Sequence, residues 1–145
     1  MSEDLWDEIL AVDLKGPWLC SKAVAPIMQR QQSGRIVSVA SIAGIRPSGS
    51  SIAYCIAKAG VIHLTRCLAV ALSPHILVNA VAPGLMEGTG MTVQLAQHFI
   101  DETKKLALLG KSSPPEDVAK AIVSLAQNDT ITGQTLPVDA GVVFP

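Results

Sequence analysis

Three side chains within the stretch Ser41 to Lys58 (SIAGIRPSGSSIAYCIAK) could move a proton between them. Tyr54 and Lys58 stand four apart in a helical pattern, so their side chains share one face. A free tyrosine has a pKa of about 10 and is a poor acid or base near neutrality. An ammonium a few ångströms away favours the phenolate and brings the group toward working range. Ser41 leaves the carboxyl end of an apolar run, where open α/β sheets place their ligands. Its hydroxyl could hydrogen-bond a carbonyl oxygen on which negative charge develops. Together the three make a proton donor, its tuner and an oxyanion partner. Taken alone, a Tyr-x-x-x-Lys tetrad is common by chance, and a tyrosine packed beside a solvated lysine satisfies it equally well.

The elements that must position these residues can be read from pattern. Arg35 to Ala40 is a short β-branched apolar run, as expected of a strand covered on both faces. Ala43 to Ser50 holds Gly44, Pro47 and Gly49 and reads as a loop. Ser50 or Ser51 then caps a helix that runs to Leu72 and stops at Ser73-Pro74. Between Ser51 and Leu72 only Lys58 and Arg66 are charged, which predicts burial on more than one side. Ile76 to Ala82 is a second buried strand, ended by Pro83-Gly84. Upstream, Ser2 to Gln32 reads as one long helix with Ser2 as cap and acidic residues in the first turn. Leu5, Ile9, Val12, Leu19, Ala23 and Ile27 mark its apolar face, Gly16-Pro17 bends it, and Ser33-Gly34 ends it. Downstream, Met91 to Leu109 is an amphipathic helical stretch. Ser113 as cap, Pro114 in the first turn and Glu116 as capping-box partner open another helix to Gln127. The segment 132–141 closes the chain as a strand, and Pro137 makes it an edge strand.

Composition narrows the class. A chain of 145 residues that is 49% hydrophobic suits one globular domain. A net charge of −1 gives no electrostatic footprint for nucleic acid, and 3% aromatics leave no stacking platform. Cys20, Cys55 and Cys67 form no C-x-x-C pair and read as buried thiols of a reducing, cytoplasmic compartment. His63, His75 and His98 lack metal-ligand spacing, so no metal is expected. The chain opens with Ser2-Glu3-Asp4 and not with a signal peptide. Its most apolar stretch, Ala59 to Leu72, reads as too short and too polar to span a bilayer.

The spacing of Ser41, Tyr54 and Lys58 resembles the short-chain dehydrogenase/reductase family, which sets a serine thirteen residues before the tyrosine of its Tyr-x-x-x-Lys helix. The resemblance implies the last part of a Rossmann-like, doubly wound parallel sheet. It also implies hydride exchange between NAD or NADP and a small alcohol or carbonyl substrate. Tyr54 would exchange the proton, Lys58 would hold the nicotinamide ribose, and Ser41 would position the substrate oxygen. Where the family usually has an asparagine that kinks the preceding helix and holds a water, this sequence has Asp13. A carboxylate can accept from water but lacks the amide donor, and it adds negative charge near a tyrosine that must ionise. Capping the helix bend is the other role open to Asp13. NAVAPG (79–84) resembles the strand and loop that face the nicotinamide, which implies cofactor contacts from Pro83, Gly84, Met86 and Thr89. The family's threonine falls five residues beyond the proline; here that position is Gly88 and the threonine comes one later. Related proteins associate through the two long helices, implying a homo-oligomer through those ending near Gln32 and Leu72.

Some family features are missing from these residues. The glycine-rich Thr-Gly loop, the ribose-selecting side chain and the Asn-Asn-Ala-Gly strand of the family's first half do not occur in this sequence. Residues 1–145 therefore read as the C-terminal, catalytic part of one such domain, with weak NAD(P) binding expected of the chain alone. A remnant that keeps only the fold and the association surface is the alternative. Gly84, Gly88 and Gly90 spell a phosphate-loop-like pattern, but Pro83 stiffens the entry and no second βαβ unit with an acidic residue about 20 positions on follows to hold a ribose.

Overall fold

The computed structural model describes residues 1–93 and 95–144. Its centre is a pair of parallel strands, β1 (Gly34–Val39) and β2 (Ile76–Pro83), in register from Gly34 opposite Ile76 to Val39 opposite Val81. A short β3 (Thr135–Val138) adds to the other side of β2, giving a three-stranded parallel sheet in the order β1-β2-β3. Pro137 lies in β3 and at the sheet's edge, where its missing N–H costs no ladder bond on the open side.

Alternation along the strands divides the core. Ile36, Ile76, Val78 and Ala80 turn to one face and meet Val61, Ile62 and Ala69 of α3 (Ile52–Leu72). Val37 and Val81 turn to the other face and meet Val118 and Leu125 of α5 (Pro115–Gln127). Each fully buried aliphatic side chain contributes about 1.5–3 kcal/mol. Helices on both faces of a parallel sheet make this an α/β fold of the doubly wound type. Asn79, completely buried in β2, gives its amide N–H to the Ile131 carbonyl at 2.7 Å and accepts from Gln134 N–H at 3.0 Å. That pair of bonds fixes where the chain turns into β3.

The N-terminal helix is continuous but not uniform. Ser2 caps α1 (Glu3–Leu10), accepting from Leu5 N–H; a π-helical turn (Ala11–Lys15) follows, and α2 (Gly16–Gln31) continues past Pro17. The irregularity expected at Gly16-Pro17 thus falls in the preceding turn, whose carbonyls lack the N–H that Pro17 cannot supply. Gln32, at φ 53°, takes the left-handed end position assigned to Ser33-Gly34, and Gly34 opens β1 instead. The sequence-assigned apolar face is also corrected. Ser21 and Ala25 are buried, while Leu5, Val12, Leu19 and Ile27 are exposed. The tightly apposed face takes small side chains, and the larger apolar ones are left outside.

Three further expectations change. The helix assigned from Met91 is only α4 (Gln97–Leu106), because residues 88–93 are held in turns by Thr89 and Thr92 hydroxyls. Pro114, not Ser113, occupies the cap of α5; Ser113 is buried and spends its N–H on the Leu85 carbonyl at 2.9 Å. Cys20 and Cys67 are exposed, on α2 and α3, and Cys55 is half-buried, so the expected buried thiols are not found. The helix containing Ala59–Leu72 is 21 residues long, enough to cross a bilayer by length and composition, which corrects the reading of that stretch as too short. Ala53, Ala57, Val61, Thr65 and Ala69 form its buried face, with Val61 packed beside Ala80 of β2 and Ala69 beside Val78.

Candidate active site

The site gathers at the carboxyl ends of β1 and β2. Ala40 N–H donates to the Val81 carbonyl at 2.8 Å, so the chain leaving β1 and the chain leaving β2 emerge side by side. Ser41 starts a 3-10 turn (Ile42–Gly44), and its Oγ accepts from Ala43 N–H at 3.1 Å. That bond fixes the hydroxyl oxygen while its O–H stays available to donate. Gly44 presses on α3: a Cβ there would lie 2.5 Å from the Lys58 carbonyl carbon and 2.6 Å from Ala59 N. The close approach seats the Ser41 turn on the Lys58 turn of α3, and only glycine permits it. Gly49 fills the remaining gap, since a Cβ would meet Ala43 Cβ and Cys55 Sγ at 3.0 Å and Tyr54 Cδ1 at 3.3 Å. Neither glycine was assigned a role from sequence beyond marking a loop, because close approach has no signature without a fold.

Ser51 caps α3, accepting from Tyr54 N–H at 3.1 Å, and so sets the helical phase from which Tyr54 and Lys58 project. Lys58 Nζ lies 5.5 Å from the centroid of the Tyr54 ring. Among the described residues the Tyr54 hydroxyl has no hydrogen-bond partner, and it is not sealed from solvent. The Lys58 ammonium is not idle. It donates to the Val39 carbonyl at 3.3 Å and pairs with Asp13 Oδ1 at 3.0 Å. Asp13 therefore has a direct contact with Lys58, rather than the cap of a helix bend that sequence also left open.

The loop after β2 is internally tied. Pro83 is the buried last residue of β2, and Gly84 N–H donates to the Val138 carbonyl at 3.0 Å. A Cβ on Gly84 would lie 2.9 Å from Asp139 Cα, so this glycine too is a contact between backbones. Met86 packs against the α5 side of the core, and its carbonyl accepts from Thr89 at 3.2 Å and from Thr92 at 2.7 Å. The Thr89 hydroxyl is thus already engaged within its own turn. No helix starts at Gly88 or Gly90; α4 begins only at Gln97, so the glycine pattern lacks the helix N-terminus a phosphate loop needs. Sequence reading missed one feature of this region. Glu87 pairs with Lys104 of α4 at 2.6 Å and accepts from the Ser112 hydroxyl at 2.5 Å. These two bonds, Lys104 first, hold its carboxyl below the usual range.

The comparisons with known proteins fit this arrangement. A family model described as enoyl-(acyl carrier protein) reductase matches residues 1–143. The chain belongs to the short-chain dehydrogenase/reductase family. It is 38% identical over 147 residues to the 3-oxoacyl-[acyl-carrier-protein] reductase FabG of Thermotoga maritima, covering 99% of this chain and 59% of that protein. It is 38% identical over 133 residues to the short-chain dehydrogenase/reductase homolog YusR of Bacillus subtilis, covering 88% of this chain and 98% of that protein. The solved 3-oxoacyl-[acyl-carrier protein] reductase of Brucella melitensis superposes with a TM-score of 0.93 at 32% identity, over all of this chain and 55% of that one. The chain thus spans little more than half the length of these two reductases.

Proposed function

We propose that this chain carries the proton-transfer site of an NAD(P)-dependent oxidoreductase that interconverts an alcohol and a carbonyl. The observation that carries the reading is the juxtaposition of an unpartnered Tyr54 hydroxyl, a Lys58 ammonium 5.5 Å from its ring and a Ser41 hydroxyl with its donor unspent. The residues fit the nicotinamide end of such a cofactor. Lys58 keeps one N–H after its two protein bonds, enough for a ribose oxygen, and Pro83, Gly84, Met86 and Thr89 stand at and beyond the carboxyl end of β2, the strand next to β1. Because the Thr89 O–H is given to the Met86 carbonyl, a contact from this side chain would come from its oxygen as acceptor.

The bound dinucleotide supplies or accepts the hydride. The chain's own residues handle the rest. Ser41 O–H donates to the substrate oxygen and holds it where charge develops. Tyr54 O–H gives its proton to that oxygen in reduction and takes it back in oxidation. Lys58, one helical turn away, sets its ammonium over the Tyr54 ring, 5.5 Å from the centroid.

The test joins residues 1–145 to the part of the Thermotoga reductase outside the match and follows NADPH-dependent carbonyl reduction. Turnover by the parent and its loss in Tyr54→Phe, with circular dichroism unchanged, is the expected outcome. Substantial turnover in the phenylalanine variant would refute the role of Tyr54. A second reading, a chain that acts through association alone, is favoured by one observation. Exposed apolar side chains lie along the N-terminal helix and α3, with Val12 of the π turn 66% exposed and Ile52 and Val70 of α3 71% and 80%. Such patches mark interfaces, and a homo-oligomer through α2 and α3 is compatible with either reading.

A further inference from the structure

The contact between Asp13 and Lys58 is the feature of the site that the motif spacing does not foretell. We propose that Asp13 is the positioning residue for Lys58: a direct ion pair fixes the ammonium and limits it to one N–H for a bound ligand oxygen. The inference rests on the reading of Tyr54 and Lys58 as a working pair.

Its geometry comes from two local departures from regular packing. Asp13 sits in the middle of the π-helical turn Ala11–Lys15, and such turns recur at functional sites because they re-aim side chains. Beside it, Leu14 packs onto Gly60 so closely that a Cβ on Gly60 would lie 2.8 Å from Leu14 Cδ1. Gly60 stands two residues after Lys58, so this approach brings the π turn onto the helix at the level of the ammonium. The 3.0 Å separation leaves no room for a bridging water. An asparagine at position 13 would be a neutral acceptor and would leave the ammonium charge uncompensated; the carboxylate compensates it. The two side chains are only 12% and 28% exposed, so solvent screens the pair less than it would a pair on the open surface.

The donor count follows. An ammonium has three N–H groups. One goes to Asp13 and one to the Val39 carbonyl, which leaves one N–H for a ligand oxygen. A lysine held this way orients a ligand more than it attracts one.

The test labels the amines of the folded 145-residue chain with trace acetic anhydride and reads each lysine by mass spectrometry, with exposed Lys105 and Lys111 as internal references. An ammonium held against a carboxylate presents no lone pair to an electrophile. In Asp13→Asn, Lys58 should acetylate about fivefold faster relative to the references, the factor expected of a partly buried pair. Asp13→Glu, which keeps the charge, should return toward the parent rate. Faster labelling of Lys104, held by Glu87 elsewhere, reports loss of the fold, and the decision then passes to Asp13→Glu. Parent-like labelling of Lys58 in Asp13→Asn, or rapid labelling in a folded Asp13→Glu, overturns the proposal. Labelling needs no turnover, so its failure and a failure of Tyr54 as proton donor are separate results.

Discussion

Replacing Gly44 with alanine tests whether the site is assembled by backbone contact. The added Cβ would lie 2.5 Å from the Lys58 carbonyl carbon, 2.6 Å from Ala59 N and 2.7 Å from Lys58 O. All three are backbone atoms in the middle of α3 and cannot rotate away. Ordinary contact begins at 3.4 Å, so the Ile42–Gly44 turn must lift by about 1 Å, or the helix must bend. Overpacking of this kind costs about 1–3 kcal/mol, and lifting the turn also disturbs buried Ala43. For a chain of 145 residues, a loss of about 2–3 kcal/mol lowers the melting temperature by about 6–10 °C. Thermal unfolding followed by circular dichroism reads the shift, with Gly90→Ala as control because a Cβ there meets nothing within 4 Å. Amide exchange at Ile45 and Arg46, both bonded to the Ile42 carbonyl, should quicken in the same variant. A Gly44→Ala chain that melts within about 1 °C of the control, with those amides still protected, would show that the turn is not held as described.

Other outcomes follow from contacts already described. Asn79→Ala strands the Ile131 carbonyl and the Gln134 N–H in the core and should cost about 2–4 kcal/mol in urea unfolding; a loss under about 0.5 kcal/mol would contradict the two bonds. Glu87 has its carboxyl held below the ordinary 4.5 by Lys104 and then Ser112, so its share of stability is present above that pH and lost as pH falls through its own lower value. Parent and Glu87→Gln should therefore differ in melting temperature at neutrality and converge below about pH 4.5; a gap constant with pH would sink the assignment. The exposed apolar faces of α2 and α3 predict self-association, and a monodisperse monomer in light scattering at micromolar concentration would count against it.

Much of the arrangement was legible because its signals are local. The β-branched runs of β1 and β2, the Ser51 cap and the apolar length of α3 all follow from pattern. What escaped depends on contacts between distant residues. Leu5, Val12, Leu19 and Ile27 have the periodicity of a buried face, yet the helix turns Ser21 and Ala25 inward, since close packing against a neighbour rewards small side chains. Met91 continues a helical pattern, but a carbonyl that takes two threonine hydroxyls holds the turn instead. Asp13 was picked out by alignment with a motif, and its partner could not be, because Lys58 is forty-five residues away and meets it only through the π turn.

The free edge of β1 gives Lys58 a second consequence. In a parallel ladder the backbone groups of alternate residues point to opposite neighbours. Gly34 and Ala40 donate toward β2, so Arg35, Val37 and Val39 present their groups to the open side of the sheet. Lys58 occupies the last of those carbonyls, at Val39. A strand that adds to this edge would meet a Val39 carbonyl with one of its two lone pairs already taken by Lys58. The ammonium and such a strand would share that acceptor, which ties the edge of the sheet to the seat of the lysine.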